Sequence, residues 1–362
     1  MTKVFNKSVE PINSPTGNSS AHFKRYALKG MNMKIYFFAV LLSIFMASGL
    51  FADQSETIVK LETKTGTLEG SLIVPNEKRP VPVALIISGS GPTDRDGNNP
   101  AMINNSLKML AEALSKNGIA TLRYDKRGIG KSQKAGKKED ELRFEHYISD
   151  AKAWAELVKN DKRFNGVIII GHSEGSLIGM IAAQENGIDK FISIAGPGLS
   201  ADKTLMEQLK SQPPEVLNIA LPIIDKLRQG ETVNDVNPLL YSLFRPSVQP
   251  YLISWFKYDP AKELAKLRIP VLIIQGTTDI QVREEDAKIL SEANPKAKIK
   301  IIKGMNHIFK EAGLDRMKNI ETYNQPELQI KQELVEVITD FVKKEKSKHN
   351  KANYTPELES PL

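Results

Sequence analysis

The sequence predicts an α/β fold in which a mostly parallel central sheet carries helices on both faces. Three observations predict it. Past residue 80, short apolar runs alternate with segments of helical spacing, the pattern of strand–helix–strand crossovers. The runs Val83-Ala84-Leu85-Ile86-Ile87, Val167-Ile168-Ile169-Ile170 and Pro270-Val271-Leu272-Ile273-Ile274 are unbroken rather than alternating, as strands buried on both faces require. The second of them leads into Gly171-His172-Ser173-Glu174-Gly175 and then a helix-compatible segment, Ser176 to Glu185. That is a strand, a sharp turn and a helix.

The elements follow in order. Residues 57–64 and 67–74 alternate in polarity around Thr65-Gly66 and predict an antiparallel hairpin at the sheet edge. Core strands are predicted at 83–87, 119–124, 167–170, 190–194, 270–274 and 298–302. Helices are predicted at 104–117, 144–160, 174–185, 282–293 and 326–344. Residues 199–262 break the alternation, with apolar spacing suited to short amphipathic helices near 203–210, 215–229, 237–244 and 248–256. An insertion between two core strands is expected to sit over the Ser173 turn as a lid. Its Leu239, Leu240, Leu243, Phe244, Tyr251, Trp255 and Phe256 are rich in apolar area. Most are expected to pack the lid onto the core, and a few to line a pocket beneath it.

A G-x-S-x-G turn between strand and helix is the arrangement of a nucleophile elbow, which lifts a serine oxygen clear of the sheet. Glycines two residues either side of Ser173 allow strand and helix to approach closely. Such a serine needs a base. Of the five histidines, His22 precedes the apolar leader, His349 lies in a lysine-rich tail, His146 is on a polar helical stretch and His172 is inside the turn. His307 remains, in a loop after the predicted strand 298–302. A carboxylate should orient its imidazole, and Asp279 follows strand 270–274. Asp279 also suits a turn or helix N-cap before residue 282, and both roles are compatible. The order Ser173, Asp279, His307 is the one this kind of elbow uses. Asp202 is the reserve acid. The oxyanion donors are expected to be the backbone N–H of Glu174 and of Ser90, with Gly91 as the fallback, since Ser88-Gly89-Ser90-Gly91-Pro92 follows strand 83–87.

Gly128-Ile129-Gly130-Lys131-Ser132 imitates the end of a phosphate-binding loop, but Asp125 stands where that motif needs glycine. Asp125 and Arg127 are instead expected to form an ion pair beside the site. Asp94-Arg95-Asp96-Gly97 lacks the later glutamate of a calcium loop and reads as turn chemistry.

On these residues the chain resembles the α/β-hydrolase superfamily, in the branch of secreted bacterial serine-aminopeptidase-like and acyl-thioesterase-like hydrolases. The resemblance rests on the stretch from Ser88 to Asn98, on Arg123-Tyr124-Asp125-Lys126-Arg127-Gly128-Ile129-Gly130-Lys131-Ser132, on the elbow, on Gln275 to Asp279 and on Gly304 to His307. It covers about residues 57–345 and is weakest at 199–262. Many relatives carry histidine before the oxyanion glycine; here Ser88 stands there, which keeps the backbone donors but not that side chain. The resemblance implies a small or medium acyl ester as substrate, with peptide or thioester bonds as alternatives. No cofactor and no metal are expected. A different class is also open: a non-catalytic envelope binding protein that retains the fold.

The formal charge of +7 does not point to nucleic acid. Residues 1–52 hold six basic residues against Glu10, a net of +5, so +2 remains for the rest. Without cysteine there is no disulfide, thiolate nucleophile or zinc–thiolate site. Residues 1–30 read as a disordered extension. Residues 31–52 read as a secretory signal, with apolar Ile35 to Leu50 and Leu50-Phe51-Ala52 before Asp53. An uncleaved membrane anchor through 35–50 is the alternative, as is translation from Met31 or Met33. The domain is expected at 53–345 and a flexible tail at 346–362, with export to a bacterial periplasm or medium.

Overall fold

The computed structural model describes residues 56–210 and 212–344. The predicted extension 1–30, the leader 31–52 and the tail 346–362 lie outside the described residues.

Eight strands form one sheet in the order β1-β2-β4-β3-β5-β6-β7-β8. They are β1 Glu56–Thr63, β2 Gly66–Ile73, β3 Val81–Ile87, β4 Ala120–Tyr124, β5 Phe164–His172, β6 Lys190–Ile194, β7 Val271–Gly276 and β8 Lys298–Ile302. The β1–β2 hairpin is antiparallel and joins β4 antiparallel, while β4 through β8 pair parallel. The hairpin turns at Gly66, whose φ of +136° a side chain would strain.

The unbroken apolar runs are explained by burial on both faces. In β3 and β5, Val83, Leu85, Ile87, Val167 and Ile169 face one core, with helices α2 Phe144–Lys159 and α3 Glu174–Ala182. Their neighbours Ala84, Ile86, Ile168 and Ile170 face the other. That second core is closed by α1 Ser106–Lys116 and α11 Gln332–Lys343. Successive strand residues point to opposite faces, so both sets must be apolar.

Between β6 and β7 lie α4 Ala201–Leu209, α5 Pro214–Arg228, α6 Tyr241–Phe244, α7 Gln249–Trp255 and α8 Pro260–Ala265. After them come α9 Glu284–Ala293 and α10 Arg316–Glu321. Among the described residues no helix is long and apolar enough to cross a membrane.

Three helices start later than predicted, each for a local reason. Helix α1 begins at Ser106, not at 104, because Asn105 is left-handed (φ 55°) and Asn104 Oδ1 accepts the Ser106 N–H at 2.9 Å. Helix α9 begins at Glu284, not at 282, because Asp279 Oδ1 takes the N–H groups of Gln281 and Val282 (2.8 and 3.0 Å) into a turn. Helix α11 begins at Gln332, not at 326. The segment before it is bonded to the His307 loop, through Lys331 N–H to the Phe309 carbonyl at 2.7 Å and a bridge between Lys310 and Ile330. Helix α10 had no counterpart in the sequence pattern.

Candidate active site

The elbow is built by β5 running into α3. Ser173 has φ 53° and ψ −124°, a strained conformation for a residue with a side chain. Strand and helix meet so closely that a Cβ on Gly171 would lie 2.3 Å from the Gly175 carbonyl oxygen. A Cβ on Gly175 would lie 2.3 Å from the Ile87 carbonyl oxygen, so only glycine fits at either place. The helix starts at Glu174, whose N–H therefore has no partner in a preceding turn.

Asp279 follows β7 and His307 follows β8. His307 Nδ1 and Asp279 Oδ2 are 2.8 Å apart. A carboxylate only accepts, so Nδ1 carries the proton, and in the neutral ring Nε2 keeps the lone pair. The carboxylate is fully engaged: Gln275 Nε2 also donates to Oδ2 at 3.2 Å, and Oδ1 holds the two turn N–H groups. Burial alone would raise this carboxyl. The charge and hydrogen bond of His307, with those N–H donors, hold it below the ordinary aspartate value instead.

The His307 loop is pinned from both sides. Asn306 Oδ1 accepts the Ile308 and Lys310 N–H groups, at 3.2 and 3.0 Å, while its amide donates to Thr322 Oγ1 at 2.8 Å. Asn319 of α10 donates to the Thr278 carbonyl at 2.8 Å, so the unpredicted helix anchors both loops at once. From the elbow side, His172 packs its ring 4.7 Å from the His307 ring. Its Nε2–H donates to the His307 carbonyl at 2.9 Å. Burial, then the neighbouring His307 charge, push the His172 imidazole down to about 3, so it stays neutral. The other histidine in the described region, His146, accepts the Arg143 N–H at 3.0 Å at a helix start.

Ser173 opens into a cavity of about 640 Å³, a volume common for small-molecule sites. Ser90 and Glu174 line it, as does Gly91. The insertion contributes Leu199, Leu205, Leu243, Leu252 and Trp255 among its apolar wall. Trp255 stacks on Phe144 at 5.8 Å and 10°. Phe244 is not on that wall but fully buried, and Leu239 is largely exposed.

One sequence expectation does not hold. Asp125 and Arg127 are not a pair. Asp125 accepts the N–H groups of Arg95 and Lys131, each at 2.8 Å, whereas Arg127 clasps Asp150 of α2 at 2.5 and 2.7 Å. The reserve acid Asp202 is not near His307 in hydrogen bonding; it pairs with Arg228 at 2.5 Å. The residue between Asp125 and Arg127 is the one that reaches the site. Lys126 lines the cavity and lies 3.0 Å from Glu174. Sequence order hid this, because β4 and β5 flank β3 only in the folded sheet. Its signal was a lysine two residues after a strand and an acid directly after the elbow serine.

A parallel sheet with a strained serine between strand and helix, and an Asp–His pair on later strand ends, defines the α/β-hydrolase fold. The chain resembles the α/β-hydrolase superfamily in sequence as well as in fold. A family model described as "Serine aminopeptidase, S33" matches residues 104–246. Esterase EstD of Thermotoga maritima is 29% identical over 265 residues, which are 70% of this chain and 61% of that protein. The chain thus spans about three-fifths of that relative's length. A monoglyceride lipase homolog of Monkeypox virus is 25% identical over 242 residues, 59% of this chain and 82% of that protein. Among solved structures, Est1E from Butyrivibrio proteoclasticus with bound ferulic acid superposes with a TM-score of 0.53 at 20% identity. That match covers 78% of this chain and 99% of Est1E. An esterase of Pyrococcus furiosus gives 0.52 at 17% identity, covering 80% and 91%. At these identities the structures speak for the fold.

Proposed function

We propose that this chain is a serine acyl hydrolase that cleaves carboxylic esters through a Ser173–His307–Asp279 triad. The observation that carries the proposal is the 2.8 Å bond from His307 Nδ1 to a buried, ionised Asp279, with the His307 ring packed on His172, the residue before the strained Ser173. In the proposed reaction His307 Nε2 takes the Ser173 Oγ proton as the oxygen attacks the ester carbonyl. The Ser90 and Glu174 N–H groups hold the oxyanion. His307 returns the proton to the departing alkoxide, leaving an acyl-serine. Water, deprotonated by the same imidazole, then releases the acid and restores Ser173. The esterase and lipase names of the two relatives support esters over peptides. Residues 199–262 act as the lid that shapes the acyl pocket, and residues 31–52 direct export.

The test is a fluorophosphonate label with an ester panel on the purified protein and on Ser173→Ala. The wild type should be labelled on Ser173 and turn over aryl esters of graded chain length, and the variant should do neither. A wild type that neither labels nor turns over any ester would return the molecule to the binding-protein class.

A further inference from the structure

Two buried ions beside Ser173 have no part in the acyl-transfer steps. Lys126 lies in the loop after β4, and Glu174 opens the elbow helix; their side chains are 1% and 2% exposed. Burying two charges costs more than their attraction returns unless the remaining donors and acceptors are also satisfied. Here they are satisfied, and by particular groups. Lys126 Nζ donates to Glu174 Oε2 at 3.0 Å and to the Gly89 carbonyl at 2.5 Å, and sits 5.0 Å over the Tyr147 ring. The other Glu174 oxygen, Oε1, accepts the hydroxyl of Tyr251, which comes from insertion helix α7.

The Gly89 carbonyl and the Ser90 N–H belong to one peptide unit. That unit is planar and trans, so its C=O and N–H point in opposite directions. A cation fixed on the carbonyl therefore fixes where the Ser90 N–H aims. It also polarises the peptide and makes that N–H a stronger donor. The same ammonium grips the side chain of Glu174, whose own N–H is the second candidate donor. We propose that Lys126 is a positioning residue of the oxyanion hole: it aims the Gly89–Ser90 peptide and ties it to Glu174, with Tyr251 closing the network from the insertion. This rests on the acyl-hydrolase reading above.

The test compares wild type, Ser173→Ala, Lys126→Met, the double variant Lys126→Met/Glu174→Gln and Tyr251→Phe. The double variant removes both charges together, so no lone buried ion is left to unfold it. Each is measured for Tm, for kcat and KM on one aryl ester, and for affinity toward a trifluoromethyl ketone, whose serine adduct places an oxyanion in the hole. Losing a whole oxyanion donor typically costs 10²–10³ in kcat, so a misaimed one should cost about 10–100-fold in the double variant. KM should stay within about twofold, and ketone affinity should fall by the same factor as kcat. Tyr251→Phe, which deletes one oxygen, should lose roughly fivefold in kcat at unchanged KM. A folded double variant with wild-type kcat and ketone affinity overturns the proposal. If the double variant does not fold, wild-type kcat in Tyr251→Phe overturns it. A wild type with no ester turnover overturns the hydrolase reading and this proposal together, whereas a variant failing against an active wild type touches only this one.

Discussion

Two buried pairs beyond the strand ends differ in what surrounds them. On one side, Asp279 and His307 come from loops after β7 and β8 and meet at 2.8 Å. On the other, Lys126 and Glu174 come from the loop after β4 and from the elbow helix and meet at 3.0 Å. The first pair contains an imidazole, a group that gains and loses a proton near neutral pH as part of its ordinary chemistry. The second joins an ammonium to a carboxylate and is spanned by a tyrosine hydroxyl and a backbone carbonyl. In the proposed reading the first passes a proton and the second holds backbone donors still. The difference teaches that a buried ion pair near a nucleophile has to be assigned by what else it touches.

Substitutions can break that comparison from its strongest side down. Ser173→Ala should cost about 10⁶ in kcat on an ester with an unchanged melting temperature. More than a tenth of the activity surviving in a stable variant would move the nucleophile elsewhere. Asp279→Asn should cost roughly 10⁴ in kcat, because an amide can donate to Nδ1 and turn the imidazole to the wrong tautomer. A near-silent Asp279→Asn would reassign the acid. Both losses should exceed that of any Lys126 variant, since proton transfer fails in one case and aim is only degraded in the other. An equal loss from both sides would erase the distinction.

The insertion offers a second contrast. Phe244→Ala removes a fully buried side chain and should cost about 3–5 kcal/mol of stability with the acyl-length profile intact. Trp255→Ala opens the cavity wall and should shift the preferred chain length, as discrimination worth about 1–3 kcal/mol per methylene allows. Kinetics on a homologous ester series, beside thermal melts, separates them. If both variants leave the length profile unchanged, the pocket lies along Met206 to Leu227 instead.

The smallest effect at neutral pH concerns His172. Its folded value of about 3 lies below the roughly 6.5 of an unfolded histidine. Between those values the unfolded chain binds a proton that the folded chain refuses. Its contribution to stability is therefore complete above about pH 6.5 and is lost as pH falls toward 3. His172→Phe should flatten the acid side of a denaturation-against-pH curve. A curve of unchanged slope would show that this ring is not the buried neutral group the geometry implies.

Much of this was legible in the chain itself. Strand after strand could be read because parallel strands buried on both faces must be apolar without interruption. The elbow could be read because glycine is forced wherever backbone meets backbone, as at Gly171 and Gly175. His307 and Asp279 could be reached because few histidines exist and strand ends are where loops carry chemistry. Only the folded sheet decided the partners of the charges. Asp125 and Arg127 sit two apart in sequence yet bond to different elements, and Lys126 between them finds Glu174, 48 residues on, because β4, β3 and β5 lie side by side. The roles of Phe244 and Trp255 were likewise decided by packing, and helix α10 by the loops it anchors. Hydrophobic period is a local property and is written along the chain. The partner of a charge is a property of strand order, and no local stretch contains it.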